Sequence, residues 1–177
     1  MAVHDTTRLA AGDPEAFAAL YDRLAARLVA TVRSLGDSRA EAEDVVHDLF
    51  VDLARFRSGL AGVADLDAYV FTMLRHALSR RRRRGAVARR VLGTIAHERG
   101  DRSVPPTATA DDELAAAVAR LPGAQREVLA LKIDGGLTFA EIATVLGTSL
   151  NTAASRYRYA IDKLRTALGH GRTEVRR

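Results

Sequence analysis

The sequence predicts an all-α protein of two small helical domains joined by a flexible linker, the second containing a helix-turn-helix. Three observations lead there. Hydrophobic residues make up 47% of the 177-residue chain, yet aromatics are 5% and tryptophan is absent. Alanine and leucine supply the apolar content instead, and both favour helix over sheet. Apolar positions recur at three- and four-residue steps in segment after segment, the period of an amphipathic helix. Between Gly85 and about Ala110 that period fades, while Gly93, Gly100, Pro105 and Pro106 accumulate. Such a stretch reads as a linker. The expected division is a first domain over 10–90, a linker over 91–110, a second domain over 111–170 and a tail over 171–177.

Each element has its own signal. Asp13-Pro14-Glu15 starts a helix, with a capping side chain, a proline suited to the first position and an acid at the positive end of the dipole. Phe17, Leu20, Tyr21, Leu24, Leu28 and Val32 carry it to about Leu35, and Gly36 stops it. Ser38 to Glu41 forms a capping box. It opens a second helix bearing Val45, Val46, Leu49, Phe50, Leu53 and Phe56. Ser58 to Gly62 reads as a loop. Asp65 or Asp67 then caps a third helix, through Tyr69, Val70, Met73, Leu74 and Leu78, into the arginines Arg80 to Arg84. Val87 to Ile95 reads as a short amphipathic piece within the linker. Asp111 to Leu114 makes an acidic first turn for a helix to Leu121, and Pro122-Gly123 breaks it. Gln125 to Ile133 is the next helix, ended by Asp134-Gly135-Gly136.

Composition excludes several classes of function. Without cysteine there are no disulfides, thiolate metal sites or cysteine nucleophiles. Met1 to Asp5 lacks a basic region followed by an apolar run, so no signal peptide is expected. No run of about 18 apolar residues occurs, so no membrane span is expected and a cytoplasmic chain is. All but two of the 27 basic residues are arginine, and the formal net charge is +5. That charge is unevenly placed: −5 over Asp37 to Asp67, +8 over Arg75 to Arg102, and +5 from Ser149 onward. Blocks of alternating sign suit partners of opposite sign at different places.

The last pair of helices carries the sharpest motif. Thr138 to Glu141 is a capping box opening a helix of about two turns, Gly147 can end it in the left-handed conformation, and Ser149 can cap the next. Ile142, Ala143, Leu146, Leu150, Ala153 and Tyr157 would form the internal seam. This is helix-turn-helix spacing, whose second helix enters the DNA major groove. Its outer face would offer Asn151, Thr152, Ser155, Arg156, Arg158 and Tyr159. Asn and Arg make paired bonds to base edges, while Ser, Thr and Tyr suit phosphates.

Two other faces carry charge. Glu41, Asp44, Asp48 and Asp52 stand one turn apart, a like-charge stripe that local stability does not explain and a basic partner would. Arg75, His76, Ser79 and Arg80 precede Arg81, Arg82, Arg83 and Arg84, a tract suited to phosphates and to stacking on unpaired bases.

In this order the features resemble the small extracytoplasmic-function group of bacterial RNA polymerase sigma factors. The resemblance covers about residues 10–84 and 111–168. It is carried by Ala16 to Tyr21, Ala42 to Phe50, Leu121 to Leu129, Phe139 to Ala143, Val145 to Gly147 and Asn151 to Arg156. It implies that Asp44, His47, Asp48 and Phe50, with Asp52 beside them, grip core RNA polymerase. Arg75, His76, Ser79 and Arg80, continued by Arg81 to Arg84, would fall on the element that opens the downstream promoter and holds it single-stranded. Ser149, Asn151, Thr152, Ala154, Ser155, Arg156, Arg158 and Tyr159 would read the double-stranded upstream element. An anti-sigma protein is a further implied partner. The chain departs from the family pattern at His47, Ala54, His76, Arg80 and Ala154.

Two rival readings stand beside this one. A helix-turn-helix repressor or activator outside the polymerase would share the DNA motif, but leaves the acidic stripe and linker unexplained. Such regulators usually dimerise; no dimerisation element is evident here, and the free chain is expected to be a monomer. A metal-dependent phosphohydrolase of the His-Asp type would use His47-Asp48 with His76 or His97. No cofactor, metal or catalytic residue is expected.

Overall fold

The computed structural model describes residues 3–91 and 109–174. Residues 92–108, which hold most of the predicted 91–110 linker with His97, and the tail end over 175–177 lie outside the described residues. Eight α-helices are present among them: α1 Val3–Ala11, α2 Pro14–Ser34, α3 Arg39–Arg55, α4 Leu66–Val91, α5 Ala110–Ala119, α6 Gly123–Ile133, α7 Phe139–Leu146 and α8 Leu150–Glu174. A 3-10 turn, Arg57–Leu60, joins α3 to α4.

Local chemistry explains most helix starts. The Asp13 carboxylate accepts from the backbone N–H of Glu15 at 2.9 Å and of Ala16 at 3.4 Å. Ser38 and Glu41 make the reciprocal capping box: the Glu41 N–H donates to Ser38 Oγ at 3.3 Å, and the Ser38 N–H to Glu41 Oε2 at 2.9 Å. Asp65, rather than Asp67, caps α4 by accepting from the Ala68 N–H at 2.9 Å. Along α2, Leu20, Leu24, Leu28 and Val32 are buried at four-residue steps, so the apolar stripe faces the core.

Five elements differ from the sequence expectation. Helix α1 had no predicted counterpart; it buries Leu9 against the 3-10 turn, whose Leu60 is equally buried. The expected loop over Ser58 to Gly62 is partly that turn. Helix α4 runs on through Gly85 to Val91, because arginine is a good helix former and one glycine costs only about 1 kcal/mol. Helix α8 runs to Glu174, past the expected domain end at 170. Helix α5 is capped by a box the sequence reading missed, between Thr109 and Asp112.

The main core is continuous from α1 to the start of α8. Leu24, Leu28, Phe71 and Leu74 from the first helical group belong to the same buried cluster as Val128, Leu131, Leu137 and Ile142 from the second. A smaller cluster, Ala117, Leu121, Leu129, Ala160 and Leu164, holds α5, α6 and α8 together. Helix α4 packs on α7, and α2 on α6.

Asp67 ties α4 to α2. It accepts from Arg27 Nη1 at 2.7 Å and pairs with Arg23. Burial alone would raise its carboxyl, but the two guanidinium partners outweigh it and hold the group below the ordinary aspartate range. Asp13 is lowered by its bond from Arg8 Nε, 2.6 Å long. Depressed folded-state values mean this stabilisation is complete above the unfolded-state pKa, near 4, and vanishes as pH falls through the folded ones. The thermal midpoint is therefore expected to hold between about pH 5 and 7 and to drop below about pH 4. Asp67→Asn should lower the midpoint at pH 7 and flatten the acid-side drop; a drop as steep as the parent's would exclude Asp67 as a source of it.

Candidate nucleic-acid and partner-binding faces

The helix-turn-helix is built as its residues dictate. Thr138 and Glu141 form a capping box at the start of α7, and Gly147 ends it at φ 61° and ψ 44°, left-handed backbone that glycine adopts without strain. Ser149 Oγ then accepts from the Thr152 N–H at 3.1 Å and starts α8. Ile142, Ala143 and Ala153 are buried between the helices, with Leu146 and Tyr157 packed against them. Leu150 is a correction: it is 51% exposed, because the first residue of α8 points away from the seam.

The outer face of α8 presents the expected side chains unequally. Ser149, Asn151, Arg158 and Tyr159 are exposed, while Thr152, Ala154, Ser155 and Arg156 are half-buried. Ser155 spends its hydroxyl on the Thr152 carbonyl at 3.0 Å, so its donor is already engaged.

The arginine helix is more divided than its sequence suggests. His76, Ser79, Arg80, Arg83 and Arg84 are exposed, and the steps from 76 to 80 and 83 put them on one side. Arg81 turns back onto α3, where Nη2 meets Glu41 Oε1 at 2.7 Å and Nη1 meets the Glu41 carbonyl at 3.2 Å. Arg75 turns toward the second helical group: Nε donates to Glu127 Oε1 at 3.0 Å. Arg82 is also exposed, and it lines a small cavity together with Glu127 and Leu131. Glu127 and Arg27, which take part in this seam, carried no signal in the sequence, since their partners lie far along the chain.

On α3 the stripe also splits. Glu41 is held below the usual carboxylate range, first by the Ser38 N–H and hydroxyl and then by Arg81. Charge relief on the stripe thus reaches Glu41 alone, and it comes from α4. Asp44, His47 and Asp48 are exposed, Asp52 is half-buried, and none of these acids makes an ion pair among the described residues. Phe50 packs edge-on against Tyr21 of α2, ring centroids 4.8 Å apart, so an aromatic pair borders the unpaired acids.

Among the described residues no group of three or more His, Asp or Glu side chains could hold a metal ion. No described helix is long and apolar enough to cross a membrane.

Taken together, the fold and faces define a helix-turn-helix protein preceded by an acidic helix and an arginine-rich helix. Comparison with known proteins narrows this. Residues 20–94 match the model of Sigma-70 region 2, and residues 111–164 that of Sigma-70 region 4. The chain is 30% identical over 169 residues to the ECF RNA polymerase sigma factor SigK of Mycolicibacterium vanbaalenii, covering 92% of this chain and 86% of the relative. To SigL of Mycobacterium tuberculosis it is 31% identical over 169 residues, covering 90% and 92%. In structure it resembles CnrH in complex with the cytosolic domain of CnrY, with TM-score 0.71, 23% identity and coverage of 96% and 97%. It also resembles the sigma factor RpoE bound to the anti-sigma factor NepR from Bartonella quintana, with TM-score 0.69, 23% identity and coverage of 86% and 96%. The chain belongs to the ECF RNA polymerase sigma factors.

Proposed function

We propose that this sigma factor docks on core RNA polymerase through the α3 face and directs it to promoters through α4 and α8. Asp44, His47 and Asp48, with Phe50 and Asp52 at the edge, meet a basic surface of the polymerase. His76, Ser79, Arg80, Arg82, Arg83 and Arg84, joined by Arg75 and Arg81 when these are released, hold an opened downstream strand. Ser149, Asn151, Thr152, Arg156, Arg158 and Tyr159 meet the upstream duplex, with Ala154 and Ser155 lying along it. The first group sits in a domain over 10–90 and the last in one over 111–170. The protein works in the cytoplasm, contributes no catalytic group and leaves the chemistry to the polymerase. An anti-sigma protein, of the kind that holds RpoE of Bartonella quintana, restrains it.

The observation that carries this reading is the exposed acid pair Asp44 and Asp48, without ion pairs among the described residues, on a chain whose other two charged faces are basic. A repressor needs only the basic faces.

The test is to combine core polymerase with the chain on genomic fragments and sequence the transcript 5′ ends. New starts sharing two upstream motifs are expected. Asn151→Ala and Arg158→Ala should each weaken use of those starts by about 1–3 kcal/mol, if each side chain contacts bases. Asn151→Ala should do so in a sequence-dependent way. DNA binding without new starts would favour the regulator outside the polymerase.

A further inference from the structure

Lys132 is one of the chain's two lysines, and unlike Lys163 it is half-buried. From the last turn of α6 its Nζ donates to the Leu137 carbonyl at 2.9 Å and stands 5.1 Å from the centre of the Phe139 ring. Leu137 is buried, and its own N–H donates to the Leu131 carbonyl at 3.1 Å. The turn from α6 to α7 is therefore tied back to α6 through both polar groups of Leu137. Phe139, the first residue of α7, meets Tyr157 of α8 edge-on, with ring centroids 5.5 Å apart. An ammonium over a ring is attracted by its quadrupole, and an edge-to-face pair fixes one ring against the other. Ala143 and Ala153, buried between α7 and α8, let the helices approach closely but carry little shape that would fix the rotation of α8 about its axis. The ring pair supplies that shape.

We infer that Lys132 is a positioning residue for duplex reading: acting through Phe139 and Tyr157, it sets the rotation of α8 in the major groove. The inference rests on the proposed role of α8. Asn151 and Arg158, both exposed, stand two turns apart on that helix, and Arg158 follows Tyr157 directly. Side chains reach about 5–6 Å from a helix axis, so a rotation of about 10° moves their tips by about 1 Å. That is enough to spoil a base hydrogen bond of about 3 Å, whose strength falls steeply with distance and angle. A long arginine still finds a phosphate after such a shift. Lys132 thus governs discrimination between sequences, and not the electrostatic attraction that every duplex shares.

The probes are a duplex that the parent chain enriches from a random pool and a mixed-sequence duplex of equal length. Lys132→Met keeps the aliphatic stem and removes both contacts of the ammonium. Phe139→Leu keeps an apolar side chain and removes the ring. Binding is measured well below the thermal midpoint, where the circular dichroism of each variant matches the parent's. Each variant should bind the enriched duplex about tenfold more weakly, the scale of one misplaced base contact. Affinity for the mixed duplex and the salt dependence should stay at parental values, which a general loss of fold would not allow. Both changes interrupt one relay, so the double variant should lose about as much as either alone, and not about a hundredfold. The relay is overturned if Lys132→Met keeps parental discrimination, if it weakens both duplexes equally, or if the two losses multiply. Enrichment of no sequence by the parent would instead overturn the proposed upstream reading, and the relay with it.

Discussion

Replacing Asp44 and Asp48 together by arginine is expected to abolish co-elution with core RNA polymerase while the chain stays folded. Both side chains are exposed and support no helix cap or ion pair among the described residues, so the substitution removes nothing that holds α3. Exposed charge changes of this kind usually alter stability by less than about 0.5 kcal/mol. At an interface the same change converts attraction into like-charge repulsion, which costs several kcal/mol. A loss of at least about a hundredfold in affinity follows from two such reversals. Glu43→Arg is the internal control: Glu43 is exposed on the same helix but pairs with Arg39 at 2.8 Å and lies outside the proposed patch. Undiminished co-elution of the double variant would move the docking surface off α3.

The largest stability effect is expected at Phe71, whose side chain is fully buried where α4 meets α6. Phe71→Ala removes a ring that packs in the shared core and lies 5.6 Å from the Arg27 guanidinium. Truncations of this type cost about 3–5 kcal/mol, a large part of the roughly 5–15 kcal/mol that holds a domain together. For a chain of this length that corresponds to a fall of about 10–15 °C in thermal midpoint. Phe56→Ala is the matched comparison, since Phe56 is 65% exposed. It should shift the midpoint by only a degree or two, and equal shifts for the two variants would contradict the placement of the core.

What was legible in the sequence was local. The Ser38–Glu41 and Thr138–Glu141 boxes, the left-handed turn at Gly147 and the Ser149 cap each involve groups within a few residues, so residue type and spacing decide them. Hydrophobic period, by contrast, reports burial rather than helicity. The period therefore carries α4 only into the arginines, and its last turns to Val91 read instead as part of a separate amphipathic piece, Val87 to Ile95. Helix α1 is nine residues long and depends on Leu60, some fifty residues away, to bury Leu9. The charged faces were read as wholes, but Arg81 is drawn onto Glu41 and Arg75 onto Glu127. Those pairings span 40 and 52 residues, and no local pattern announces them.

The central claim is that one chain both recruits polymerase and opens promoter DNA, and it is tested most directly by permanganate reactivity of unpaired thymines on a promoter fragment. The chain with core polymerase is expected to make thymines just upstream of the start site reactive, which neither component does alone. Combined His76→Ala, Arg80→Ala and Arg83→Ala substitutions should remove that reactivity and preserve protection of the upstream duplex. Upstream protection with no reactive thymines, whatever the polymerase concentration, would contradict the account.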